Sequence, residues 1–198
     1  MFTGLVEGVG RVASVESRAD VRRLRIDTDL GPLVQVGDSV SVSGVCLTVT
    51  THDERGMTAD IGPETARITT LGRIDVGHQV NLERSMRADG RFGGHFVQGH
   101  VDGLGLVQAL RRDGDASWMT VGFPAGLAPY LIEKGAVTVD GISLTIAALH
   151  ERHFEVMIIP HTWASTNLPE RRAGDPVNLE CDMIGKYVAR VLEARADD

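Results

Sequence analysis

A chain of 198 residues, 42% of them hydrophobic and 24% charged, has the composition of a globular protein with one or two domains. The net charge of -7 provides no broad basic surface, which argues against nucleic acid as a partner, and we expect Arg22-Arg23 and Arg111-Arg112 at solvated loop ends. No apolar run reaches the roughly 18 residues of a membrane span and the start lacks signal-peptide features, so we expect a cytoplasmic protein.

The chain begins with a glycine-rich segment that fits a dinucleotide-binding pattern. Gly8, Gly10 and Ala13 have the spacing of that pattern. However, few residues precede them to form a parallel strand, and the residues that follow lack the periodicity of a crossover helix. We therefore interpret these glycines as turns between strands.

Short alternating stretches separated by glycines predict an antiparallel sheet or barrel. Ser39–Ser43 ("SVSVS") and Val137–Val139 ("VTV") alternate in this way. In residues 44–50, "GVCLTVT", one strand face carries aliphatic side chains and the other carries Cys46, Thr48 and another threonine. Such a polar face suits a planar polar ligand, although an exposed strand also carries small polar residues.

The chain contains two copies of one pattern. Residues 4–12, "GLVEGVGRV", align with 99–107, "GHVDGLGLV", and residues 61–86 align without a gap with 158–183, both including "VNLE". "SGVCLTV" aligns with "DGISLTI", which puts Ser143 and Thr145 at the places of Cys46 and Thr48. The repeat predicts modules at 1–93 and 94–183, divided in the glycine-rich "DGRFGG", and two ligand positions.

The spacing of His95 with His100, and of the two cysteines, argues against a metal motif at these residues. His95 and His100 are five residues apart, which suits neither one strand face nor one helix face. His100 stands where the first copy has Leu5, so it could exchange a proton in one module only, or be a buried, satisfied histidine. The other histidines with polar neighbours are expected on the surface: His52, His78, His150 and His153. The two cysteines, Cys46 and Cys181, are expected to be free thiols.

The tail, residues 184–198, is predicted to be a helix. Its apolar residues follow the i, i+3, i+4, i+7, i+8 spacing of one helix face: Ile184, Tyr187, Val188, Val191 and Leu192. This stripe requires a surface to cover it.

The segments "MFTGLVEG", "GVCLTVT", "PETARITTL", "GGHFVQGHVDG", "DGISLTI" and the repeated "VNLE" together resemble the riboflavin synthase family over essentially the whole chain. The resemblance implies an all-β fold of two six-stranded Greek-key barrels, with a C-terminal helix that joins three chains. It also implies that two molecules of 6,7-dimethyl-8-ribityllumazine exchange a four-carbon unit to give riboflavin and 5-amino-6-(D-ribitylamino)uracil, without metal or redox cofactor. Association with lumazine synthase is possible in such a protein.

The resemblance also implies the site residues. The first barrel would bind one lumazine through Gly4, Leu5, Val6, Cys46, Leu47, Thr48, Asp60, Ile61, Gly62, Pro63, Glu64 and Thr65. The second would bind the other through Gly99, His100, Val101, Lys134, Ser143, Leu144, Thr145, Met157, Ile158, Ile159, Pro160, His161 and Thr162. Catalytic roles are expected for Phe2, Cys46, Thr48, His100, Ser143 and Thr145.

One departure and two rival functions are visible. Ser43 replaces an asparagine that usually precedes the glycine of the first motif, which concerns the geometry of that hairpin. A non-catalytic relative resembling lumazine protein would bind lumazine on the same double barrel, whereas the polar pairs and His100 favour the enzyme. A flavin-binding reductase would need a nicotinamide domain that this chain is too short to hold.

Overall fold

The computed structural model describes residues 1–18 and 21–196, and it contains two closed antiparallel barrels followed by a helix. The first barrel consists of β1 (Gly8–Arg18), β2 (Val21–Asp27), β3 (Ser39–Val42), β4 (Val45–Asp53), β5 (Gly56–Ile61) and β6 (Gln79–Arg84), with a short helix α1 (Pro63–Ile68). The second consists of β7 (Gly103–Asp113), β8 (Ala116–Gly122), β9 (Ala136–Val139), β10 (Ile142–Leu149), β11 (His153–Ile158) and β12 (Pro176–Cys181), with α2 (Pro160–Ala164). Short 3-10 helices span Gly31–Leu33, Thr70–Arg73, Ala125–Tyr130 and Leu168–Glu170.

The two barrels share one topology, which confirms the predicted tandem fold. Neighbouring strands follow the order β1-β2-β5-β4-β3-β6 in the first barrel and the equivalent β7-β8-β11-β10-β9-β12 in the second. The first strand of each barrel shifts register after Val12 or Val107, and the fourth after Val49 or Ile146. Bulges of this kind bend a strand and help a sheet close.

Each barrel has its own core, built by the alternation that the sequence predicts. On β4 the side chains of Val45, Leu47 and Val49 are buried, whereas Cys46 is half-buried and Thr48 is exposed. Strand β10 repeats the pattern, with its aliphatic residues inside and its hydroxyls outside. The polar face predicted on both strands is therefore present.

The glycines of the dinucleotide-like pattern lie inside β1, so their interpretation as turns is wrong. A Cβ on Gly10 would lie 2.5 Å from Ile26 Cγ2, because the barrel core is packed against that position. The equivalent Gly105 on β7 would clash with Leu179 Cδ1 at 2.7 Å. These glycines allow neighbouring core side chains to fill the barrel.

The arginine pairs lie within strands, which corrects their placement at loop ends. Arg22 and Arg23 belong to β2, and Arg111 and Arg112 to β7. Arg23 is bound by Asp60 on the adjacent β5 at 2.6 and 2.7 Å. A cross-strand partner therefore holds Arg23, whereas Arg22 donates to the carbonyls of Gly72 and Ile74.

The barrels meet at their β3–β4 and β9–β10 turns. Ser43 and Asp140 occupy equivalent turn positions with φ of 46° and 47°, so serine adopts the backbone that asparagine would favour. The following Gly44 and Gly141 approach so closely that a Cβ on Gly44 would lie 2.8 Å from the Gly141 nitrogen. Asn81 Nδ2 donates to the Asp140 carbonyl at 3.0 Å. In the reciprocal contact, the Asn178 amide donates to the Ser43 carbonyl at 2.8 Å.

The tail forms the predicted helix, α3 (Met183–Ala196), and residues 197 and 198 lie outside the described part of the chain. All five residues of the apolar stripe are more than half exposed, with values from 54% to 65%. The helix therefore does not use its own barrels to cover this face. None of the described helices is long and apolar enough to span a membrane.

Candidate functional site

A cleft of about 330 Å³ opens on the second barrel. It brings together eight residues predicted for the second site, namely Lys134, Ser143, Leu144, Thr145, Met157, Ile158, Ile159 and Thr162, and it adds Ala147. Pro160 and His161 are exposed at the start of α2 beside it. The cleft is apolar at its base and carries hydroxyls on β10, which suits a flat heterocycle with polar edges.

Lys134 has an unusual backbone conformation in this cleft. Its φ is 64°, and Nζ donates to the Ala147 carbonyl at 2.7 Å. The equivalent residue of the first barrel is Gly37, with φ of 95°, so the fold requires a left-handed residue at both places. The second barrel alone therefore presents an ammonium group beside its cleft.

The equivalent surface of the first barrel is formed by β4, β5 and α1. Cys46 and Thr48 lie on the outer face of β4, whereas Leu47 and Ile61 point into the core. The Asp60 carboxylate is held by Arg23, and Gly62 precedes α1, which contains Pro63, Glu64 and Thr65. Glu64 is paired with Arg67 at 2.6 Å, and that bond lowers the pKa of its carboxyl group.

The segments that precede the barrels are crossed, which corrects the predicted assignment of six residues. The Gly4 carbonyl accepts from Ser143 N–H at 2.8 Å, and Val6 packs against the core of the second barrel. In the reciprocal arrangement, the Gly99 carbonyl accepts from Cys46 N–H at 2.9 Å and Val101 packs against the first core. Gly4, Leu5 and Val6 therefore belong beside the second site, and Gly99, His100 and Val101 beside the first.

Two buried carboxylates hold the crossed segments. Glu83 accepts from Thr3 N, Thr3 Oγ1 and Gly4 N at 2.7, 2.8 and 2.9 Å. Glu180 accepts from the backbone nitrogens of Gln98, Gly99 and His100 at 2.7, 2.9 and 2.9 Å. Burial raises the pKa of both carboxyl groups, while these hydrogen bonds act in the opposite direction. Both glutamates come from the repeated "VNLE".

Phe2 lies where the two segments meet. It pairs with Val97 through backbone hydrogen bonds of 2.7 and 3.2 Å, and its side chain is fully buried. A Cβ on Gly99 would lie 3.0 Å from the Phe2 ring, so the ring supports the Gly99 segment from behind. His100 itself has an exposed side chain, which removes the interpretation of a buried histidine.

His95 contacts Ser143, a pairing that the sequence does not reveal. Its Nδ1 and Ser143 Oγ share a hydrogen bond of 2.7 Å. Its Nε2 is buried and has no hydrogen-bond partner among the described residues. Burial lowers the pKa of His95, and the nearby Asp182 charge opposes that shift. Ser143 thus has a neutral imidazole beside it near pH 7, whereas Cys46 lies against the backbone of Gly99.

Replacing His95 by glutamine is expected to change how stability depends on pH. A lowered pKa means that the unfolded chain binds the proton first, so the stabilising contribution of His95 is present above its ordinary pKa of 6.5 and is lost as pH falls below it. Urea unfolding of both proteins between pH 5 and pH 8 measures this. The stability difference between them should be constant above pH 7 and change below 6.5, and parallel curves throughout would contradict the assignment.

Within residues 1–18 and 21–196, one group of side chains has the spacing needed to hold a metal ion. His150, His153 and Glu155 place ligand atoms within 4.8 Å of one another at the β10–β11 turn. The two rings stack at 4.3 Å, and Glu155 lies 3.8 Å from Arg111, which competes for the carboxylate. Both cysteines are free, and burial raises the pKa of Cys181 to about 12.

The model of the lumazine-binding domain matches the chain twice, at residues 3–85 and 98–182. Solved structures support the same fold: LumP complexed with 6,7-dimethyl-8-(1'-D-ribityl) lumazine gives a TM-score of 0.83, with 24% identity, over 91% of this chain and 99% of that one. LumP complexed with riboflavin gives a TM-score of 0.86 at the same identity and coverage. The protein is therefore of the class built from two lumazine-binding barrels.

Curated relatives identify the family within that class. The riboflavin synthase of Actinobacillus pleuropneumoniae is 42% identical over 100% of this chain and 93% of its own length. The riboflavin synthase of Mycobacterium bovis is 43% identical over 98% of this chain and 99% of its own length. That of Bacillus subtilis is 42% identical over 97% and 90%. The chain belongs to the riboflavin synthase family.

Proposed function

We propose that this protein is a riboflavin synthase, which converts two molecules of 6,7-dimethyl-8-ribityllumazine into riboflavin and 5-amino-6-(D-ribitylamino)uracil. The observation that carries the proposal is the pair of equivalent polar strands, Cys46 with Thr48 and Ser143 with Thr145, on two barrels of one topology. A reaction between two identical molecules needs two similar binding sites. Similarity to the curated relatives along the whole chain supports the same function.

The chemistry requires little beyond orientation and proton movement. Two carbon–nitrogen bonds break in the donor and two carbon–carbon bonds form in the acceptor. The acceptor's methyl groups lose the hydrogens that the donor's nitrogen atoms gain, so the reaction balances without oxidant, reductant or water. Holding two rings in a reactive geometry can supply roughly 7 to 11 kcal/mol. Lys134, His95 and the β10 hydroxyls could orient one lumazine, and Cys46, Thr48 and His100 the other.

We also propose that the active unit is a homotrimer. In the riboflavin synthase family, the first barrel of one subunit is expected to face the second barrel of its neighbour. The exposed stripe of α3 supports this arrangement, because a patch of this kind marks a contact surface. A groove of about 550 Å³ between α3 and residues 129–136 continues the apolar surface.

The proposal also includes a cytoplasmic location, an association with lumazine synthase and a division of the chain into three parts. Free thiols at Cys46 and Cys181 suit the reducing cytoplasm. Association with lumazine synthase would place this protein next to its supply of substrate. We propose three parts, 1–93, 94–183 and 184–198, and both matches to the domain model fall within the first two.

Incubation with the lumazine alone tests the function. Riboflavin and the pyrimidine product should form in equal amounts while two lumazines disappear, and a boiled sample should form neither. Bound lumazine without riboflavin would replace the enzyme by a non-catalytic lumazine-binding protein. The absence of both binding and conversion would exclude both functions.

Cys46→Ala and Ser143→Ala are expected to lower riboflavin formation by unequal amounts. The two sites differ, because Ser143 has His95 at hydrogen-bond distance and Cys46 does not. A donor site and an acceptor site also stabilise different charges, and losing one hydrogen bond lowers a rate by about tenfold to a hundredfold. Steady-state kcat and KM for both variants provide the measurement. Equal, small losses would leave the difference between the sites without support.

A further inference from the structure

Glu83 and Glu180 are the glutamates of the repeated "VNLE", and the proposed chemistry does not use them. Their exposures are 5% and 2%, and among the described ion pairs neither carboxylate is matched with a lysine or arginine. A buried carboxylate needs hydrogen-bond donors to remain stable. In each case those donors are the three groups contributed by the segment that precedes a barrel.

The held segment then contacts the other barrel. Glu83, on β6 of the first barrel, binds Gly4 N–H, and the Gly4 carbonyl accepts from Ser143 of the second barrel. Glu180, on β12 of the second barrel, binds Gly99 N–H, and the Gly99 carbonyl accepts from Cys46 of the first. A single glycine therefore links each carboxylate by hydrogen bonds to the residue that carries the polar side chain of the other barrel.

We propose that Glu83 and Glu180 are positioning residues that act across the molecule, each fixing from its own barrel the segment that completes the ligand site of the other barrel. Glu83 thus serves the site of Ser143, and Glu180 serves the site of Cys46. The ligand relevance of this role rests on the proposed function, whereas the crossed dependence can be measured without any ligand.

Alkylation by iodoacetamide provides a probe in each site. Cys46 is the probe for the first barrel, and Cys181 is a weak competitor because burial raises its pKa to about 12. For the second barrel, Ser143→Cys in a Cys46→Ala background places a thiol at the matched position. Glu83→Gln and Glu180→Gln are each combined with both probes, because glutamine keeps the shape but replaces one acceptor oxygen by a donor.

The expected pattern is crossed. Glu180→Gln should speed alkylation of Cys46 by about tenfold and leave the alkylation rate of the thiol at 143 within about twofold. Glu83→Gln should do the reverse. The tenfold change corresponds to the strength of one charged hydrogen bond. Each carboxylate acting on its own barrel, equal acceleration at both probes, or no change would overturn the proposal. Thr3→Val removes a single donor to Glu83 and should speed only the probe at 143, so it tests the same claim if a glutamine variant does not fold.

Riboflavin then separates this inference from the proposed function. In the parent proteins, riboflavin should protect both thiols, and each glutamine variant should lose protection at the opposite site only. A crossed alkylation pattern without any protection in the parent proteins would preserve the positioning role and remove the proposed ligand. Riboflavin protection of both thiols together with an uncrossed alkylation pattern would support the proposed ligand and overturn the positioning role.

Discussion

Replacing Gly99 by alanine is expected to reduce riboflavin formation about a hundredfold while both barrels remain folded. Gly99 has a φ of 77°, and an added Cβ would lie 2.6 Å from Cys46 Cβ and 2.8 Å from Cys46 N. The left-handed backbone costs about 1–2 kcal/mol for alanine, and overpacking adds about 1–3 kcal/mol. The segment must therefore move away from the first site, and a loss of about 2.7 kcal/mol corresponds to a hundredfold in rate.

Steady-state kcat/KM and circular dichroism measure the two parts of this expectation. Gly4→Ala is the matched variant for the second site, because its Cβ would lie 2.7 Å from Ser143 Cβ. Gly126→Ala is the control, since a Cβ there meets nothing within 4 Å. A Gly99→Ala protein with kcat/KM within about twofold of the parent would show that the segment is not required.

Removing α3 from Ile184 onward is expected to give a folded monomer that binds riboflavin but does not form it. Five exposed apolar side chains would gain about 1.5–3 kcal/mol each on burial, from which ordering and association costs must be subtracted. Without these contacts the subunits should separate. A site that combines barrels from two neighbouring subunits would then lack one of its two barrels. Light scattering gives the mass in solution, and the conversion assay gives the activity.

A substitution within the full chain controls for other effects of the truncation. Lys186 of α3 lies 2.7 Å from Asp102, and deletion removes this ion pair along with the stripe. Val188→Asp keeps the pair and places a charge in the exposed stripe, so it should also prevent the proposed trimer from forming. A folded, monomeric and fully active protein from either change would contradict a shared site.

The barrels and the polar strands could be predicted because they depend on local patterns. Alternation in residues 44–50 gives the inner and outer faces of β4, and the repeat transfers them to β10. The helix was equally predictable, since its stripe follows a helical period. The placement of the arginine pairs within strands was harder to predict, because exposed charges occur both at outward strand positions and at loop ends.

The crossed segments could not be predicted, because an alignment of the two copies says only which residues are equivalent. Gly4 is equivalent to Gly99 in either arrangement, and neither neighbourhood indicates which barrel receives it. The contacts in three dimensions reveal the exchange, namely the bonds from Ser143 to Gly4 and from Cys46 to Gly99 and the packing of Val6 and Val101. The His95–Ser143 bond was hidden for a different reason, because His95 lies outside the stretches that align between the two copies.

The exchanged segments also have a bearing on the origin of the molecule. Reciprocal contacts such as Gly4 with Ser143 and Gly99 with Cys46 are those of an isologous dimer whose protomers swap their first residues. A one-module ancestor could have made them with an identical copy, and fusion would then have replaced assembly at cellular concentrations by a tether of high effective concentration. Fusion also broke the symmetry constraint on mutation. In a homodimer every substitution appears twice, whereas in the fused chain one barrel carries Lys134 where the other carries Gly37.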